Sequence, residues 1–270
     1  MKTERWTITE PQTIELDDVT SLSAHIVDGR LDVVAHDEPN VRVEIHATNG
    51  RPVEVRLERG GKLTVGHETL SGWKSFVEKF GDFTGNARAD IFIAAPRHLT
   101  AKVGSVRGET MLAGMIGDLR ANSVSGPILV TETEGTLDVN TVSGEVTVRE
   151  HRGNVDANTV SGDTTITGWV PNADVNSVSG AITFDLFDQP RRIKSNSVSG
   201  AVLMRLPDAN VVEAKLDSLG GRLMVNGVEA GGFGTKLLRP VVPTVTTVKA
   251  TAVSGDVTVI GRQDAPDGGL

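Results

Sequence analysis

From Val106 onward, apolar residues fall on alternate positions in short runs separated by small polar turns. One signature closes the turns: Asn122-Ser-Val-Ser-Gly126, Asn140-Thr-Val-Ser-Gly144, Asn158-Thr-Val-Ser-Gly162, Asn176-Ser-Val-Ser-Gly180 and Asn196-Ser-Val-Ser-Gly200. Fainter copies stand at Gly104–Gly108, Asp217–Gly221 and Thr251–Gly255. The closing glycines 108, 126, 144, 162 and 180 step by 18, and later steps are 20, 21 and 34. A second punctuation column, Gly117, Gly135, Gly153 and then Pro171, lies halfway. Each unit therefore reads as two short strands and two turns. Internal periodicity of this kind marks a repeat architecture.

The side-chain columns fit that reading. Two residues before each closing glycine stands Val106, Val124, Val142, Val160, Val178, Val198, Leu219 or Val253. Two and four residues after it stand pairs such as Ile128/Val130, Val146/Val148 and Ile182/Phe184. Alternation with period two sets one face of a strand inward. A period of 18 then stacks equivalent residues about 4.8 Å apart in parallel coils. The expected fold is mainly β: a single-chain parallel β-helix, or β-solenoid, over residues 1–262, with 263–270 as a frayed tail. Residues 1–100 read as degenerate coils and a cap, with strands at Val41–Ile45, Val53–Leu57, Leu63–Val65 and Ala89–Ala94. Residues 101–262 read as the regular coils, interrupted at 222–250, where glycines and prolines suggest a loop. A change of parity near Asn158 places a bend there, and glycine is expected at the corner for its conformational freedom. Between Glu68 and Phe80, Leu70, Trp73, Phe76, Val77 and Phe80 share one face of an amphipathic helix, expected either to cap the coils or to dock a partner.

Three polar columns follow from the stacking. Asn122, Asn140, Asn158, Asn176 and Asn196 form an expected structural amide ladder that pairs otherwise buried polar groups. Ser123/Ser125, Thr141/Ser143, Thr159/Ser161, Ser177/Ser179 and Ser197/Ser199 read as outward hydroxyls. Arg120, Asp138, Asp156, Asp174 and Lys194 read as a solvated charge column relieved at its ends. The alternative for Asp138, Asp156 and Asp174 is a calcium site, since hard cations take several oxygen ligands. No catalytic, cofactor-binding or thiolate metal motif is legible, and the six histidines show no metal spacing.

Composition narrows the partners. The chain of 270 residues has a net charge of -8, no cysteine, no tyrosine and 4% aromatics. The acidic balance argues against a general nucleic-acid binder. The opening Met1–Ile8 lacks the apolar stretch of an export signal, and no run of about 18 apolar residues could span a bilayer. The expected compartment is the cytoplasm.

The reiterated Ser/Thr-Val-Ser-Gly units, with Trp6–Pro11 and Ile26–Val34, resemble a bacterial candidate-adhesin family of β-strand-repeat proteins, a toastrack-like domain of unknown function. The resemblance covers about residues 5–262. It implies a parallel β-helix, tips the expected hand to right-handed, and brings no catalytic motif. The expected function is a non-enzymatic scaffold presenting a rigid β face to a protein or glycan partner. Two alternatives stand beside it: a self-assembling solenoid of bactofilin type, and a carbohydrate-active β-helix enzyme using the three aspartates.

Overall fold

The computed structural model describes residues 3–67, 87–229, 234–239 and 243–262, and every regular element among them is a β-strand. The amphipathic stretch of Leu70, Trp73, Phe76, Val77 and Phe80 lies outside the described residues, as does the tail 263–270. The chain divides into two compact units, Met1–Val146 and Thr147–Leu270.

In the first unit, the repeats stack in parallel with the register the periodicity requires. Thr100–Ser105 pairs with Ile116–Ser123, and that strand pairs with Glu134–Thr141, so Ala101, Leu119 and Leu137 align, as do Asn122 and Asn140. Glu109–Ala113 pairs with Ile128–Thr131. The degenerate coils obey the same rule: Ser21–Ile26 runs parallel to Thr100–Ser105, and Asp28–His36 runs parallel to Glu109–Ala113. Pairing then changes sense toward the N-terminus. Val41–Asn49 lies antiparallel on Arg88–Pro96, with a bulge between Ile45 and Ala47, and carries Gln12–Leu16 antiparallel on its other edge. Val53–Leu57 lies antiparallel to both Lys62–Gly66 and Glu4–Ile8.

In the second unit, Val155–Thr159 pairs in parallel with Asn172–Ser177, which pairs with Arg192–Ser197. Thr164–Trp169, Ile182–Leu186 and Val202–Leu206 form the companion ladder. Chain order and spatial order then part. The last repeat, Thr246–Ala252 and Val257–Gly261, inserts against the coil of Arg192–Leu206. The earlier repeat, Val212–Ser218 and Leu223–Val225, packs outside it. Within the 222–250 interruption, Gly234–Leu238 forms an antiparallel strand on Val212–Ser218.

The core is thin and aliphatic. Leu119, Ala121, Val130, Leu137 and Val139 fill the first unit, and Val175, Ile182, Phe184, Ile193 and Met204 fill the second. The closing glycines are required by contact rather than by an unusual backbone. A β-carbon on Gly180 would stand 2.0 Å from the Gly162 carbonyl oxygen, and one on Gly200 would stand 1.9 Å from that of Gly180. Backbone lies on backbone at this corner, so no side chain fits. Left-handed geometry belongs instead to the halfway column, where Gly135 has φ of 114° and Gly153 has φ of 144°.

Candidate functional site

The expected amide ladder is present, but apart from Asn122, which is buried, its members stand half-buried or exposed on the outer face of the strands. Burial alternates without a break through Asn172–Ser177, with Ala173, Val175 and Ser177 inward and Asn176 half-buried. No bend occurs at the asparagine; the chain turns only after the hydroxyl residue. In the first unit, Asn140 Nδ2 donates to Asn122 Oδ1 at 3.2 Å and to Asp138 Oδ1 at 2.7 Å. In the second, Asn176 Nδ2 donates to Asn158 Oδ1 at 2.9 Å, and Asn196 Nδ2 donates to Asn176 Oδ1 at 2.7 Å.

The expected hydroxyl column divides. Ser125, Ser143, Ser161, Ser179 and Ser199 are exposed as expected, whereas Ser123, Thr141, Thr159, Ser177 and Ser197 are buried, not outward. Each buried hydroxyl turns back to the glycine three residues on: Thr159, Ser177 and Ser197 both donate to its carbonyl and accept from its N–H. A hydroxyl satisfied locally in this way can be buried at little cost. The valine after it goes to the outer corner. Val160, Val178 and Val198 are each 47% exposed, and Val253 and Leu219 are also exposed. In the first unit, by contrast, the equivalent Val106 and Val124 are buried in a cluster with Val27 and Ala87.

The charge column is relieved as electrostatics demands. Arg120 lies 2.7 Å from Asp138, and Lys194 binds Asp174 through both carboxylate oxygens, at 3.1 and 2.8 Å. The swapped coil order adds Lys249 beside Lys194 and Lys215 beside Lys249, so the column turns from acidic to basic. Among the described residues, no three His, Cys, Asp or Glu side chains are grouped as a metal would need. No helix among them is long and apolar enough to cross a membrane.

A different place gathers chemistry. Seven residues after the closing glycines 162, 180, 200 and 255 stand Trp169, Phe187, Pro207 and Arg262. At this corner of the second unit, Trp169 meets Phe187 edge to face, with centroids 4.8 Å apart and planes at 81°. Arg152 lies 3.5 Å over the Trp169 ring, and Arg262 lies 4.8 Å over the Phe187 ring. Cations are drawn to ring faces by the quadrupole. Asp185 anchors two guanidiniums, Arg262 at 2.5 Å and Arg205 at 3.3 Å.

Beside this ribbon is an open cleft of about 830 Å³, lined by Arg205, Asp208, Asn210, Asn226, Arg262 and the apolar Pro207 and Ile260, among others. The coil swap creates it, because the corners at 205–210, 226–227 and 260–262 become neighbours. Its amides are fixed in place: Asn226 Nδ2 donates to Asn210 Oδ1 at 3.2 Å, and Asn226 Oδ1 accepts from the Gly261 N–H at 3.1 Å. Gln189 secures the adjoining loop through the Asp208 backbone, donating to its carbonyl and accepting from its N–H, both at 3.0 Å. This platform is absent from the sequence-derived candidates. The signal was the seven-residue offset from the glycine, which puts rings on successive coils. The coil swap leaves no such trace.

The chain resembles several solved structures, among them three from Parabacteroides and Bacteroides. A candidate lipid-binding protein of Parabacteroides distasonis ATCC 8503 shares 13% identity over 94% of this chain and 97% of its own, with a TM-score of 0.49. A candidate adhesin of Parabacteroides merdae ATCC 43184 shares 13% over 97% of each chain, at 0.44. One of Bacteroides fragilis NCTC 9343 shares 12% over 93% of this chain and 97% of its own, at 0.42. No curated protein matches. The family model described as Toastrack DUF4097 matches residues 21–260, and the chain belongs to that family.

Proposed function

We propose that this protein is a non-enzymatic recognition module that holds a glycan along the Trp169–Phe187 corner and in the cleft beside it. The single observation carrying this reading is the juxtaposition of half-buried rings with a shallow cleft lined by fixed amides. Sugars present an apolar C–H face and a rim of hydroxyls. Pro207, Ile260 and the ring surface that Arg152 and Arg262 leave uncovered suit the first; Asn210, Asn226 and Asp208 suit the second. Binding sites commonly combine an apolar lining with a few well-placed polar groups.

Rigidity supports the same reading. The corner rests on parallel ladders held by backbone hydrogen bonds from coil to coil, such as Phe187 N–H to the Gly168 carbonyl at 2.8 Å. A preformed surface loses little conformational entropy on binding.

The test is a glycan microarray probed with the wild type and with Trp169→Ala and Phe187→Ala variants that melt as wild type does. Retention of a defined glycan set that both variants lose by tenfold or more is the expected result. An array bound equally by wild type and variants would overturn the proposal, as would an array that wild type leaves empty.

A further inference from the structure

We infer that the saccharide is acidic, with its carboxylate or sulfate group held between Arg205 and Arg262. The inference rests on the glycan reading above and adds its charge.

Arg262 is held from three sides. It binds Asp185, lies on the Phe187 ring, and its backbone N–H donates to the Leu206 carbonyl at 2.6 Å. Arg205 approaches the same carboxylate from the neighbouring coil. A guanidinium carries five N–H donors, whereas one carboxylate offers about four acceptor sites. Asp185 therefore leaves guanidinium donors of both arginines facing the solvent of the cleft, where an anion could replace water. Asp208 also lines the cleft, but its Oδ1 accepts from the Asn210 N–H at 2.7 Å, which draws that oxygen back toward its own loop.

Arg152, Arg205 and Arg262 balance Asp185, Asp188 and Asp208, so this corner is locally neutral in a chain whose net charge is -8. A dense polyanion such as nucleic acid meets repulsion from the rest of the surface and finds no net basic patch here. An acidic polysaccharide carries its charges further apart, one to every sugar or two. It fits a site with a pair of arginines at one end of a ring ribbon and Arg152 at the other. Arginine suits this role because its planar fork takes a carboxylate bidentately.

The decisive experiment is titration calorimetry with matched tetrasaccharides at low and physiological salt: galacturonate against galactose, mannuronate against mannose, and glucuronate against glucose. The acidic member of at least one pair should bind ten times more tightly or better, and more weakly as salt rises. Arg262→Gln and Arg205→Gln should each remove at least tenfold of that preference. Arg205 is the safer variant, since its side chain is 46% exposed. Equal affinity within every pair would overturn the charge inference and leave the glycan proposal standing. No binding by any acidic or neutral member would overturn both. Retention on anionic phosphatidylglycerol vesicles with no saccharide binding would also overturn both, and would assign the arginines to a lipid headgroup.

Discussion

Ser177 and Gly180 hold each other twice. The hydroxyl donates to the glycine carbonyl at 2.8 Å and accepts from the glycine N–H at 2.9 Å, three residues further on. The pair closes the coil at the point where Gly180 rests on Gly162. Ser177→Ala leaves both backbone groups without this partner in a buried place, at a cost of about 1–3 kcal/mol. Ser177→Thr should stay within about 1 kcal/mol of wild type, because Thr159 makes the same two bonds in its own coil. Urea unfolding of the two variants checks the difference.

Val175 and Val178 have the same side chain three positions apart, and they face opposite ways. Val175 is fully buried, whereas Val178 is 47% exposed. Val175→Ala should cost about 2–3 kcal/mol through lost burial and an unfilled cavity. Val178→Ser should change stability by no more than about 0.5 kcal/mol. Thermal unfolding midpoints would separate the two; equal losses would mean that the outer valine column is covered.

This contrast shows what was legible and what was not. Strand registers such as Leu119 on Leu137, and Asn176 on Asn196, were readable because an 18-residue or 20-residue repeat permits one parallel alignment. The sides of Ser177 and Val178 were not. Hydrophobicity argues for valine in and serine out, but the Gly180 backbone supplies the serine with both partners, and the strand keeps its alternation one residue further than the valines imply. Identical Val-Ser-Gly turns also differ in exposure between Val124 and Val178, because burial depends on what packs against the column. The arginine cleft needed the swapped order of the last two coils. Nothing local to either segment encodes that order.

His25 titrates abnormally. Its ring is buried against the α-carbon of Gly104, where a β-carbon would stand 2.9 Å from Nδ1, and Ser23 Oγ lies 3.0 Å from Nε2. Burial, aided by the charge of Lys62, lowers its pKa from 6.5 to about 4. The unfolded chain therefore takes up a proton that the folded chain refuses between those values. The contribution of this group should fall as pH drops from 6.5 to 4, by about 3 kcal/mol, with no further loss from it below pH 4. Burial also lowers the His67 pKa and adds a loss of the same sign. Denaturant unfolding across that range should show the slope, and His25→Gln should reduce it. Asp256, whose pKa is lowered by hydrogen bonds from Arg222, contributes separately and at more acid pH.

The amide ladder gives a charge test. Asn176 donates to both Asn158 and Asp174. Asn176→Asp turns two attractions into contacts between oxygens and should cost about 1–2 kcal/mol at pH 7. The introduced carboxyl would titrate above its ordinary range, so the deficit should shrink as the pH falls toward 4. A loss that did not vary with pH would rule out charge as its cause.

Antiparallel strands finish each unit's stack. Glu4–Ile8 and Gln12–Leu16 do so in the first unit, and Gly234–Leu238 and Val228–Glu229 do so in the second. Parallel and antiparallel ladders space their donors and acceptors differently. On Val212–Ser218, the edge opposite Thr246–Ala252 is thereby occupied by Gly234–Leu238, a piece of the same interruption that carries the chain to its last repeat. Any further parallel strand at that edge would first have to displace this one, so the interruption caps the ladder it leaves.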